Sequence, residues 1–267
     1  MGVRLLLSNP PAKRMNFLAI LEMVANRHWR KKNGICIAEG LRVAREAVTR
    51  RPEAILALFC NETFHASPDG AVFANLARQH ALKLEVVPNK QFADTAETET
   101  PQGIAAIFRI PETTEPTAAG TPFTLILDHV SDPGNLGTIL RTAWAVGLSS
   151  CWLVKGSADP FSPKAIRAGM GAQFALQTHL LEDLETAVSQ ARAFGAREVW
   201  CTMPAAGISI FDPVFQVQGS ALIIGNEANG ITRPDLGRAV TIPMPGHAES
   251  LNAAQAATVF LIESLRP

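Results

Sequence analysis

The sequence predicts an α/β protein in two parts, the second of them built on a parallel sheet. Three observations carry this expectation. Short apolar runs alternate with helical patterns along the 267 residues, one internal stretch lacks any apolar periodicity, and the runs beyond it are apolar throughout rather than alternating. The aperiodic stretch, FRIPETTEPTAAGTP (108–122), is rich in Pro, Thr, Ala and Gly and reads as a linker. It separates an expected first domain, residues 1–107, from a second, residues 123–267.

Each element follows from its pattern. In the first domain ICIAEG, ILALFC, LKLEVV and GIAAIF read as strands, and FLAILEMVANRHW, GLRVAREAV and AVFANLARQHA as helices. In the second, TLILDHV, CWLVKG, EVWCTM, SALIIGNE and AVTIPMP are buried strands. ILRTAWAVG, the stretch after Ser162, LEDLETAVSQARAFG and LNAAQAATVFLIESL are helices. There is no internal repeat.

With 47% hydrophobic and 18% charged residues, the chain is too apolar for disorder. Cys36, Cys60, Cys151 and Cys201 are far apart and form no CxxC pair, so neither a disulfide framework nor a zinc site is signalled, and a reducing compartment is expected. No apolar run approaches the roughly 20 residues that span a bilayer. The opening MGVRLLLSNPP breaks at prolines before a secretory core develops, so a soluble, cytoplasmic protein without membrane contact is expected. The six histidines have no metal spacing; His129 and His247, beside motifs, read as loop or core residues.

Basic and acidic residues balance at 24 each, but unevenly along the chain. Residues 1–51 hold eleven of the basic residues and three of the acidic, leaving 13 and 21 for the remainder. A basic end on an acidic body suits a phosphate-gripping partner. RHWRKK adds Trp29 and His28 among the cations, where stacking on bases is possible; a solvated helix face is the plain alternative.

Three segments of the second domain place glycines and polar residues directly after an apolar strand, where open α/β sheets bind ligands. In LDHVSDPGNLGTILRTAWAVG (127–147) the strand ends at Val130 and Pro133 and Gly134 turn the chain. Gly137 lets a helix begin near the sheet, leaving Asn135 and Arg141 by its N-terminal end. In ALIIGNEANGI (221–231) Gly225 allows a ligand close to the backbone and Glu227 supplies a carboxylate. In TIPMPGHAESLNAAQAATVFLIE a prolyl loop leads to Ser250, a candidate N-cap, and Asn252. Taken singly these are a turn residue, a surface cation, a loop carboxylate and a cap.

Together and in this order they resemble the SpoU/TrmH family of RNA ribose methyltransferases, in the SPOUT superfamily. Its motifs resemble DPxNxGxxxRTA, GxExxG and IPMxGxxxSLN, and DPFSPKAIRAGMGA (159–172) is similar to the segment between the first two. The resemblance covers Leu125 to the end. The stretch SNPPAKRMNFLAILE followed by RKKNGICIAEGLRVAREAV resembles the small RNA-binding domain that precedes many ribosomal-RNA members. Two departures stand out: Ala253, Ala254 and Gln255 replace a valine-rich continuation, so packing or the dimer surface is expected to differ, and Gly169 stands where serine is common.

The resemblance implies a C-terminal segment threading a deep trefoil knot, S-adenosylmethionine bound in that knot without a metal, and a homodimer. Cofactor contacts would fall around Thr202, Gly225, Ile242, Met244 and Leu251. Arg141 is the family's proposed catalytic residue. A guanidinium, with a pKa above about 12, suits a clamp on phosphate and developing alkoxide better than a base, which leaves the proton acceptor open. Asn135 and Asn252 would hydrogen-bond ribose or phosphate, Glu227 would orient Arg141 or loop amides, and Ser250 would order the helix mouth. A 2′-hydroxyl target means RNA rather than DNA, and the first domain favours ribosomal over transfer RNA. A transfer-RNA enzyme and an inactive RNA-binding relative are the alternatives. A nucleotide-dependent oxidoreductase would need G-x-G-x-x-G after the first strand, which is absent.

Overall fold

The computed structural model describes residues 26–266 other than 95, 97, 99, 113 and 248. Arg4, Lys13 and Arg14, and the first helical pattern up to residue 25, lie outside the described residues. Two compact units emerge: 26–112 with Phe161–Phe174, and 114–160 with 175–266.

The first unit runs α1 (Arg27–Asn33), β1 (Ile35–Glu39), α2 (Leu41–Arg50), β2 (Ile55–Asn61), α3 (Glu62–His65), α4 (Pro68–Gln79), β3 (Leu84–Val87), α5 (Asn89–Ala93) and β4 (Ile104–Arg109). Its sheet has the order β1-β4-β2-β3, with β4 antiparallel to both neighbours and β2 parallel to β3. Helix α2 is amphipathic: Val43, Ala44, Ala47 and Val48 are buried while Arg42 and Arg45 face outward. Phe161, Ile166 and Phe174 enter the same core, so a segment matching the inter-motif stretch of the methyltransferase resemblance packs in this unit. Phe108 and Phe174 meet edge to face at 4.5 Å. Because Phe108 is only 1% exposed, β4 continues through Arg109, and the irregular stretch starts at Ile110 rather than at Phe108. Trp29, partly buried, packs against the cluster of Ile35, Ile37 and Phe92 on the sheet's other face, so part of its ring is engaged with the fold. At Gly169 a Cβ would stand 2.6 Å from Oε1 of the buried Gln173, so a serine there would require the Gln173 amide to move.

The second unit comprises β5 (Thr124–Leu127), α6 (Pro133–Ala145), β6 (Ser150–Val154), then, after α7 (Pro163–Gly169) of the first unit, β7 (Gln177–Leu181), α8 (Leu184–Ala193), β8 (Val199–Thr202), β9 (Ile208–Ser209), β10 (Ala221–Ile224), β11 (Arg238–Thr241) and α9 (Ala253–Glu263). Its strand order is β7-β6-β5-β10-β8-β11-β9 and every pairing is parallel. Strands β5, β6 and β10 are buried along their whole length, as parallel strands covered on both faces must be. The edge strand β7, QTHLL, opens on two polar residues and buries His179 while Leu180 is exposed, so it carries no continuous apolar run. Helix α6 begins at Pro133 with Asp132 as its cap, accepting from the Asn135 amide at 2.9 Å; Pro133 and Gly134 are helical, not a turn. Helix α9 packs on α6, burying Ala253, Ala254, Ala257, Phe260 and Leu261. Gln255, Val259 and Ile262 share its exposed side, so Gln255 leaves the core undisturbed. Among the described residues no helix is long and apolar enough to cross a membrane, and no His, Cys, Asp and Glu group has metal-binding arrangement.

Candidate active site

The loops after β5, β10 and β11 gather at the carboxyl ends of their strands. Beside them the end of β8 contributes Thr202, whose hydroxyl donates to the Ile223 carbonyl at 2.9 Å. Thr202 and the loops after β10 and β11, with the start of α9, enclose a cavity of about 300 Å³, at the lower end of the range for small-molecule sites. Thr202, Gly225, Ile242, Met244 and Leu251 all line it, as do Glu227 and Ser250. Met203, Pro204, Glu249 and Phe260, which the sequence reading did not single out, complete much of the wall.

Asn135 and Asn252 do not line the cavity but join its edge through hydrogen bonds. Nδ2 of Asn252 donates to Oδ1 of Asn135 at 3.0 Å, and Nδ2 of Asn135 donates to Oε1 of Glu227 at 2.9 Å. Glu227 also accepts from the Ser131 amide and hydroxyl at 3.2 and 3.0 Å, and from the Asp132 amide at 3.4 Å. One carboxylate therefore ties the β10 loop to the β5 loop. Burial pushes this carboxyl up, but the Asn135, Ser131 and backbone donors outweigh it and hold Glu227 below the usual glutamate range.

Of the two roles expected for Glu227, it takes the loop amides. Arg141, two turns further along α6, is exposed and has no hydrogen bond or ion pair among the described residues. Ser250 is not the helix cap: Asn252 is, its Oδ1 accepting from the amides of Ala254 and Gln255 at 2.9 and 3.4 Å. A cap needs one residue between itself and the amides it serves, and Ser250 stands too far upstream. Gly225 is required by its own chain: a Cβ there would lie 2.5 Å from the Gly230 carbonyl carbon, where residues 226–230 fold back on the strand end. Ser131 and Asn226 were missed by the sequence reading. Asn226 accepts from the Ala228 and Asn229 amides at 2.9 Å and donates to the His129 carbonyl at 2.8 Å; the NEANG string was the available signal.

All four cysteines are buried. Burial pushes the thiols of Cys60 and Cys201 up to about 11 and that of Cys151 higher still, so none of these three offers a thiolate nucleophile.

Comparison with known proteins matches this architecture. The profile of the MRM3-like substrate binding domain matches residues 20–106, and that of the SpoU rRNA Methylase family residues 122–262. The chain is 38% identical over 173 residues, 64% of its own length and 67% of the relative's, to the 23S rRNA (guanosine(2553)-2'-O)-methyltransferase RlmP of Bacillus subtilis. It is 27% identical to rRNA methyltransferase 3, mitochondrial, of Mus musculus, over 99% of this chain and 75% of that one. The structure of the SpoU methyltransferase AviRb from Streptomyces viridochromogenes in complex with AdoMet aligns at a TM-score of 0.77 and 25% identity, covering 92% of this chain and 96% of that one. With the family profile spanning more than half of its length, two motifs lining one cavity and the first joined to them through Asn135, the chain belongs to the SpoU rRNA methylase family.

Proposed function

We propose that this protein transfers the methyl group of S-adenosylmethionine to a ribose 2′-hydroxyl of ribosomal RNA. The observation that carries the reading is the Asn252–Asn135–Glu227 chain of hydrogen bonds at the edge of the cavity lined by Thr202, Gly225, Ile242, Met244 and Leu251. The wall suits the cofactor: Ile242, Met244, Leu251 and Phe260 offer apolar surface to a purine, and Glu249 offers negative charge to a cationic ligand. When bound, S-adenosylmethionine supplies an electrophilic methyl.

The protein's task is then to orient the ribose and manage charge. Asn135 and Asn252 fix the rim, and their remaining hydrogen-bonding capacity faces ribose or phosphate. Arg141, unpaired among the described residues, is available to clamp phosphate and stabilise the developing alkoxide. Glu227, with five donors on it, is a clamp between loops rather than a base. Ser250 stands at the cavity wall beside Leu251.

The first unit grips RNA, supported by Arg42 and Arg45, exposed on α2 with no partner among the described residues. The protein works as a homodimer through the outer face of α9, where Val259 and Ile262 are exposed and Phe211 lies under Arg266 nearby. Its C-terminal segment threads a trefoil knot, in keeping with β10 inserted between β5 and β8 and with α9 returning onto α6. Cys60, Cys151 and Cys201, free and buried, suit a cytoplasmic setting. The test is transfer of labelled methyl to purified ribosomal and transfer RNA pools. Alkali-resistant ribose methylation in ribosomal RNA is expected; label confined to transfer RNA would overturn the substrate assignment.

A further inference from the structure

We propose that Glu249 biases the cavity toward S-adenosylmethionine and against the spent product S-adenosylhomocysteine, through the one positive charge by which the two differ. The proposal rests on the methyl-transfer reading above and deepens it. When the methyl carbon passes to the ribose oxygen, sulfur keeps the electron pair of the broken C–S bond, and a sulfonium becomes a neutral thioether. The adenosine and amino-acid portions are unchanged. Specificity is a difference of affinities, so a group that responds to that charge alone holds the cofactor and loosens the product.

The cavity is electrostatically one-sided. Among the described residues that line it are two carboxylates, Glu227 and Glu249, and no Lys, Arg or His. The two acids are placed differently. Glu227 accepts five hydrogen bonds, from the Asn135 and Asn226 side chains, the Ser131 amide and hydroxyl, and the Asp132 amide. A carboxylate offers about four lone-pair sites, so the capacity of Glu227 is spent on holding its loops. Glu249, in the loop between β11 and α9, is exposed and has no hydrogen bond or ion pair among the described residues. Its charge is therefore not committed to the fold.

The surroundings give that charge reach. Met244, Leu251 and Phe260 line the same cavity with apolar surface, and a cleft with low-dielectric walls and charge of one sign focuses the field on its occupant. Attraction between unit charges about 4 Å apart corresponds to about fivefold in affinity even at the dielectric of water, and to more beside an apolar wall. Both ligands carry the same amino-acid ammonium, so comparing them isolates the sulfonium.

The test titrates the full chain calorimetrically with S-adenosylmethionine, S-adenosylhomocysteine and sinefungin, whose extra amine restores a positive charge near the place of the sulfonium. Glu249→Gln keeps the length of the side chain and removes its charge. It is expected to weaken both cationic ligands about fivefold or more while S-adenosylhomocysteine stays within about twofold, so the ratio of the two affinities shifts toward the product. Glu249→Asp, which retains the charge, should keep most of the wild-type ratio. Raising salt from about 0.1 to 1 M should shift the wild-type ratio toward the product and leave that of Glu249→Gln in place. An affinity ratio unchanged in Glu249→Gln, or equal weakening of all three ligands, which would set Glu249 against the shared ammonium, would overturn the proposal and leave the methyl-transfer reading standing. A wild type that binds none of the three would overturn both.

Discussion

Asn135 donates to Glu227 at 2.9 Å across 92 residues of chain, and Asn252 donates to Asn135 from 117 residues further on. Three motifs distant in sequence thereby share one polar network, and most of its strength passes through a single carboxylate.

Glu227→Gln tests that network. The amide keeps the shape but cannot accept from all the donors that converge there, and charge-assisted hydrogen bonds of this kind contribute about 1.5–3 kcal/mol. Methyl transfer is expected to fall about 10- to 100-fold, with weaker cofactor binding by calorimetry. Unaltered binding and turnover would show that the loops hold their places without the clamp.

The same carboxyl sets a pH dependence. Its folded pKa is depressed, so the stabilisation it provides is present above the ordinary glutamate range and is lost as pH falls through the lowered folded value. Cofactor affinity should be flat from about pH 5 to 8 and weaken below about pH 4. Glu227→Gln should flatten that acid limb in a calorimetric titration series; an identical limb in both proteins would place its origin elsewhere.

Arg141→Ala separates function from stability. The side chain is exposed and unpaired among the described residues, so thermal unfolding should change by no more than about 0.5 kcal/mol. Loss of a fixed positive charge at the reacting oxygen should lower single-turnover methyl transfer about 100- to 1,000-fold. Arg141→Lys, which lacks the planar fork, should recover little. Full activity in Arg141→Ala would remove the residue from the chemistry.

Ile262→Glu places a charge on the exposed side of α9 without touching Phe260 or Leu261 in its buried side. Light scattering behind a sizing column should read a dimer for the wild type and a monomer for the variant. A monomeric wild type would refute the assembly.

Much of this protein was legible in one dimension because the information is local. Apolar runs such as TLIL and ALII announce strands buried on both faces, and LRVAREAV announces a helix with one apolar side. The motif residues Thr202, Gly225, Glu227, Ile242, Met244, Ser250 and Leu251 could be named in advance, and they do meet at one cavity. What the sequence could not decide are relationships between distant segments. These include the edge strand β7, which buries His179 and exposes Leu180, the packing of Phe161–Phe174 in the first unit's core and the partial burial of Trp29. The choice of Asn252 over Ser250 as cap and the folding of Gly230 onto Gly225 are local, but they turn on loop conformations that residue type alone leaves open. Propensity and periodicity act over a few residues, whereas a hydrogen bond or close contact across about a hundred residues exists only once the sheet order has brought both partners to the same strand ends.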